Sequence, residues 1–225
     1  MAANSVSSTI KIDDVRDISF SPDSKFLAMS YNNDIFLYNL TTNEIYNITD
    51  DGRWNHIING TTDWVYEEEY GFTQAYAFSP DGAEIAYLKF DESHVKEFEM
   101  MRYDNKLYNE AYRFKYPKAG EENSIVTLHV YNIASGQTRQ IDTGAETDQY
   151  LPRIGYTPAG DLFYYRVNRL QNHFEVILVA KDGSQRVIYN EQDDRYVERP
   201  SAATITFIDG DRFIVREETT TGWFH

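Results

Sequence analysis

Tyr76-Ala77-Phe78-Ser79-Pro80-Asp81-Gly82, followed by Ile85-Ala86-Tyr87-Leu88, fixes the architecture of this chain, because the phrase recurs. An apolar-aromatic run ends at a hydroxyl residue. Proline then presets φ at the second turn position, and Asp-Gly supplies the permissive positions after it. A second apolar run follows, so the phrase reads as strand, tight turn, strand. Ile18-Ser19-Phe20-Ser21-Pro22-Asp23 stands in the same way before Phe26-Leu27-Ala28-Met29-Ser30-Tyr31. Ile154-Gly155-Tyr156-Thr157-Pro158-Ala159-Gly160 stands before Leu162-Phe163-Tyr164-Tyr165, and a degenerate copy, Ile205-Thr206-Phe207-Ile208-Asp209-Gly210, before Phe213-Ile214-Val215.

A second hairpin follows each of the first three copies. Ile35–Leu40 turns through Thr41-Thr42-Asn43-Glu44 into Ile45–Ile48, Thr127–Ile133 turns at Ser135-Gly136 into Thr138–Ile141, and Val176–Val179 turns at Asp182-Gly183 into Arg186–Tyr189. Two hairpins per unit make four strands, and units recurring at roughly 40–50 residues are the mark of propeller blades. A β-sandwich also has short strands and many turns, but a proline phrase at one fixed place in each unit favours the propeller. The expectation is an all-β chain: a partial β-propeller of about three to four four-stranded antiparallel blades. The repeat is still running at Thr219–His225, which shows no capping pattern. Residues 11–225 are therefore expected to be a propeller fragment. An open stack of blades exposes apolar edges, so self-association or limited stability is expected as well.

The bulk composition narrows the partners. A formal net charge of −15 argues against nucleic acid and anionic membranes. With no cysteine, neither disulfides nor thiolate metal sites can form. No apolar run is long enough for a bilayer-spanning helix. The first eight residues, Met1–Ser8, lack the charged and apolar regions of a signal peptide. Residues 1–10 read as a disordered lead or as residues left by cloning.

Two intervals are too long for plain blades. The second proline phrase lies 58 residues after the first and the third 78 after the second, counting from Pro22 to Pro80 to Pro158. The first surplus, residues 59–72, holds Asp63-Trp64-Val65-Tyr66-Glu67-Glu68-Glu69-Tyr70. Thr62 or Asp63 can cap a short helix there and Gly71 can end it. Such a helix, interrupting a blade, is expected to project from the wheel. By composition alone, three consecutive carboxylates read first as a solvated helix face; the sequence around them favours a site that holds a cation through charge-assisted hydrogen bonds. The second surplus, residues 91–123, is an arm rich in Tyr, Phe and Met. That much apolar area calls for burial, against the arm's own blade or against a neighbouring subunit.

Asn32-Asn33-Asp34-Ile35, the run Asn59-Gly60-Thr61-Thr62-Asp63-Trp64-Val65-Tyr66-Glu67-Glu68-Glu69, Tyr116-Pro117-Lys118-Ala119-Gly120 and Thr220-Thr221-Gly222-Trp223 together resemble the propeller of the dipeptidyl peptidase IV family of serine peptidases. The phrases fall in the family's order and cover nearly the whole chain; Trp-Val-Tyr-Glu-Glu-Glu is the specific one. The resemblance implies an exopeptidase that releases X-Pro or X-Ala dipeptides from peptide N-termini, in which an eight-bladed propeller covers an α/β-hydrolase domain. It implies that Glu68 and Glu69 bind the substrate's free α-ammonium; Glu67 is not carried over. It further implies a homodimer through the arm 91–123, a periplasmic or other extracytoplasmic location, and no cofactor. The sequence lacks a Gly-x-Ser-x-Gly nucleophile elbow, so no catalytic residue is assigned and the chain alone is expected to be inactive. An arginine that the family contributes from earlier in the propeller has no match. A non-catalytic propeller scaffold is the competing function.

Other candidates carry little. His56, His94, His129, His173 and His225 have no metal-ligand spacing. Asp50-Asp51-Gly52 and Asp193-Asp194 fit turns better than calcium loops. Asn39, Asn47 and Asn59 begin glycosylation sequons, a pattern frequent by chance. Arg166–Asn172 also resembles the family and is assigned no chemistry.

Overall fold

The computed structural model describes residues 14–209, 212–217 and Trp223. The lead expected at 1–10, Gly210 in the degenerate turn, and the terminal phrase apart from Trp223 lie outside the described residues.

The first four strands, β1 (Arg16–Phe20), β2 (Phe26–Tyr31), β3 (Asp34–Asn39) and β4 (Ile45–Asn47), form an antiparallel meander with neighbours in chain order. This is blade one. Blade two begins with β5 (Ile57–Asn59), continues through helix α1 (Trp64–Tyr70), β6 (Tyr76–Phe78) and β7 (Glu84–Asp91), and detours into a separate hairpin, β8 (Glu97–Arg102) and β9 (Glu110–Lys115). It is completed by β10 (Ile125–Asn132) and β11 (Gln137–Ile141). Blade three contains β12 (Gln149–Tyr150), β13 (Ile154–Tyr156), β14 (Leu162–Asn168), β15 (His173–Val179) and β16 (Gln185–Gln192); β17 (Ile205–Phe207) and β18 (Phe213–Val215) pair as a further hairpin. The architecture is thus three four-stranded blades and one more hairpin, all antiparallel, as the repeat required.

The proline phrases form through their side chains. Ser79 Oγ accepts from Glu84 N at 2.9 Å and donates to Asp81 Oδ1 at 2.6 Å, while Asp81 Oδ1 also accepts from Ala83 N at 3.1 Å. Ser21 and Asp23 repeat this arrangement, with Phe26 N on Ser21 Oγ at 2.9 Å. Thr157 substitutes a single bond from Asp161 N at 3.2 Å. All three hydroxyl residues are buried. The phrase thereby satisfies backbone donors that the tight turn leaves open.

Blades two and three share one apolar core around Phe90, Leu128, Leu151, Tyr164 and Phe174. Blades one and two meet over a smaller cluster around Ile35, Leu37, Tyr76 and Ile85. The Tyr76 hydroxyl crosses this seam and shares its one proton between two acceptors, Ala28 O at 3.0 Å and Asp17 O. Asn59, fully buried, donates to Asp34 Oδ1 at 3.1 Å and Asp51 Oδ1 at 2.9 Å, which makes its sequon inaccessible to a glycosylating enzyme. Among the described residues no helix is long and apolar enough to cross a membrane.

Both surpluses are insertions. β5 pairs with β7 at Asp91–Lys89 and β6 pairs with the same edge of β7 at Tyr87–Ile85, so they are one innermost strand broken by the α1 loop. β8 and β9 interrupt the connection from β7 to β10. Their base and tip differ. Tyr116 packs edge-on against Trp64 at 4.2 Å and Phe98 lies 5.3 Å from Tyr116, whereas Leu107 and Tyr108 at the tip are 91% and 81% exposed. The arm's base therefore buries against its own blade, and its tip does not.

Candidate ammonium-binding helix

Helix α1 has seven residues, too short to persist alone. Its ends are specified locally. Asp63, in extended backbone, is the N-cap and accepts from Tyr66 N at 3.0 Å; Gly71 ends the helix in the left-handed region at φ 66°. Thr62, the other capping candidate, instead donates to Phe72 O at 2.9 Å and closes the loop behind the helix. Asp63 is 5% exposed, and its second oxygen accepts from Ser124 Oγ at 2.6 Å, tying the helix start to the end of the arm. Burial pushes the Asp63 carboxyl above its ordinary range, and the hydrogen bonds from Ser124 and Tyr66 oppose that rise.

The expectation that the helix projects from the wheel needs correction. Val65, Tyr66 and Tyr70 are buried in the core shared by blades two and three. Tyr66, 2% exposed, packs edge-on against Phe90 at 4.9 Å, and its hydroxyl accepts from Leu151 N at 2.8 Å. Three apolar or aromatic positions at i, i+1 and i+5 make one buried flank. With that flank turned inward, Glu67, Glu68 and Glu69 fall on the exposed one.

Glu68 and Glu69 both line a cavity of about 300 Å³, walled on its far side by Arg199, Pro200, Ser201 and Thr204 on the approach to β17. Glu69 meets Arg199 Nη1 at 3.5 Å. Both partners are more than half exposed, so this pair contributes little to stability and is free to exchange for a bound cation. Glu69 also borders a broader trough of about 820 Å³ between α1 and the arm base, lined by Trp64, Tyr116, Phe98 and Lys118. Glu67 lines neither cavity.

Arg199 was absent from the sequence reading. It lies 130 residues from Glu69 in a segment without periodicity, so no local pattern signals it. Arg153 was missed in the same way: its guanidinium donates to Tyr70 O at 3.2 Å and sits 4.2 Å over the Phe72 ring. Among the described residues no group of three or more His, Cys, Asp or Glu is placed to hold a metal ion.

The family model for the dipeptidyl peptidase IV N-terminal region matches residues 1–225. The chain belongs to that family. The crystal structure of Porphyromonas gingivalis dipeptidyl peptidase 4 superposes on it with a TM-score of 0.89 at 36% identity, over 96% of this chain and 33% of that one. The structure of a putative dipeptidyl aminopeptidase IV from Bacteroides ovatus gives a TM-score of 0.81 at 27% identity, over 99% of this chain and 30% of that one. Dipeptidyl peptidase 4 of Trichophyton tonsurans is 31% identical over 94% of this chain and 29% of its own length. The chain thus spans about a third of the dipeptidyl peptidases it matches. The bladed architecture, the helix in the innermost strand of blade two and the arm belong to a dipeptidyl peptidase IV N-terminal region.

Proposed function

We propose that this chain is the substrate-recognition segment of a dipeptidyl peptidase IV-like serine exopeptidase, in which Glu68 and Glu69 bind the free α-ammonium of a peptide. The observation that carries this reading is the placement of two adjacent carboxylates, unburied, at the edge of a cavity on a helix that is otherwise locked into the core. An ammonium has three donors and a carboxylate several acceptor positions. Each charge-assisted hydrogen bond contributes on the order of 1.5–3 kcal/mol.

The consequence for catalysis is a ruler. With the N-terminus pinned, the scissile bond reaches the nucleophile a fixed number of residues along the peptide. A blocked or internal segment brings no ammonium to the carboxylates, and covering Glu68 without one costs several kcal/mol where water is excluded. Fixing one end also lowers the entropy cost of reaching the reactive geometry. On this reading the nucleophile belongs to an α/β-hydrolase domain of the same protein, and the dipeptide released is X-Pro or X-Ala.

In the full-length protein, Glu68→Ala and Glu69→Ala are each expected to lower kcat/KM for a Gly-Pro chromogenic reporter by about 100-fold or more. Hydrolysis at the parental rate in both variants would overturn the assignment and leave a scaffold role. The arm tip supports a second element of the proposal. Tyr103, Leu107 and Tyr108 are each at least 75% exposed, an apolar group that suits pairing with a second copy of the protein.

A further inference from the structure

The two glutamates occupy the last turn of α1, where the carbonyl end of the helix dipole disfavours negative charge. No basic residue stands in that turn. A seven-residue helix so arranged needs a cation from elsewhere, and blade three supplies it. Its innermost strand breaks between β12 and β13, both of which pair with β14. Three residues lie in the break, Leu151, Pro152 and Arg153, and the first and last of them bond the helix. Leu151 N leaves the sheet ladder to donate to the Tyr66 hydroxyl at 2.8 Å. Arg153 donates to Tyr70 O at 3.2 Å, at the carbonyl end, and stacks its charge over Phe72 at 4.2 Å.

We propose that Arg153 is a positioning residue for the Glu68–Glu69 pair: from the strand break of blade three it caps the carbonyl end of α1 and sets where the two carboxylates stand. This rests on the ammonium-binding role given to those glutamates. The guanidinium is half-buried, and burial lowers its pKa without removing its charge, so it acts as a permanent cation. Its Nη2 holds a backbone carbonyl one residue beyond Glu69, while Nη1 donates to Pro152 O at 3.0 Å and steadies the guanidinium. A shift of that carbonyl moves the Glu69 backbone with it, whereas the N-terminal half of the helix stays fixed by Asp63 and Tyr66. The strand break therefore has a use: it frees Leu151 N for the Tyr66 hydroxyl, while Arg153 O stays bonded to Tyr165 N at 2.9 Å and anchors the arginine on blade three.

The test compares Arg153→Met, Arg153→Lys, Glu68→Ala and Glu69→Ala in the full-length protein, reading KM and kcat for the Gly-Pro reporter together with the thermal midpoint. Arg153→Met keeps an unbranched apolar side chain beside Phe72 and removes the charge, the hydrogen bonds and the guanidinium stacking on the ring. It is expected to raise KM roughly 5- to 30-fold with a thermal midpoint within about 3 °C of the parent, and Arg153→Lys to recover at least half of the loss on a logarithmic scale. A purely structural role would shift the midpoint and lower active enzyme without moving KM, and that pattern overturns the proposal. So does a parental KM in Arg153→Met while the glutamate variants lose activity. Parental activity in the glutamate variants would instead remove the ammonium-binding reading itself.

Discussion

Glu92 shows how the helix start responds to pH. It is 6% exposed, beside the buried Asp63 and next to Asp91, with Lys115 as the countercharge. Burial, then repulsion from Asp63 and Asp91, push its carboxyl up to about 7, with Lys115 opposing. A carboxyl raised in the folded state keeps its proton there after the unfolded chain has lost it, near 4.5. Its stabilising contribution is complete below that value and is lost as pH rises through about 7. After allowance for partial solvent screening, the loss is on the order of 1–2 kcal/mol. Glu92→Gln should therefore flatten the fall in urea stability between pH 5 and pH 8. A parental pH slope in the variant would show that Glu92 does not titrate in this range. Neither Glu92 nor Ser124 stood out in the sequence, because each acquires its meaning only by facing Asp63.

Helix α1 is the element with the clearest division of labour. Its limits were legible: an N-cap aspartate, a left-handed glycine and acidic residues between them. Gly71 has no atom within 4 Å of where a Cβ would stand, so its need for glycine is purely a matter of positive φ. Gly71→Ala should cost about 1 kcal/mol of stability without steric disruption, measured by urea unfolding of the chain. A loss above about 3 kcal/mol would point to a clash and contradict the open surroundings. The inward turn of Tyr66 was not legible. The run Trp-Val-Tyr-Glu-Glu-Glu is compatible with a projecting helix, and the partners that draw it in, Phe90, Tyr150 and Leu151 N, come from a distant strand and from the next blade.

At the scale of the molecule, two groups of exposed apolar side chains bear on association. β1 presents Ile18 and Phe20 at 57% and 65% exposure, and Ile208 and Ile214 near the last hairpin are 53% and 60% exposed. The arm tip adds Tyr103, Leu107 and Tyr108. Sheet edges and faces of this sort associate. The isolated chain is expected to sediment as more than its 26.2 kDa monomer, and Leu107→Glu with Tyr108→Glu to weaken that association at least tenfold. Unchanged association in the double variant would place the contact on the blade edges instead of the arm. A well-behaved parental monomer with cooperative unfolding would remove both.

The blades, their four-strand count and both insertions could be read from residue order, since strand alternation and proline-turn chemistry are local and the phrase repeats. Insertion limits shifted slightly: the helix loop lies between Asn59 and Tyr76, and the arm between Asp91 and Ile125. Contacts across blades were of another kind. Arg199 beside Glu69, Arg153 under Tyr70 and Leu151 beneath Tyr66 join residues 83 to 130 positions apart. No local pattern carries such pairs, because they depend on how one blade stacks on the next, and that stacking is settled by side-chain packing in three dimensions.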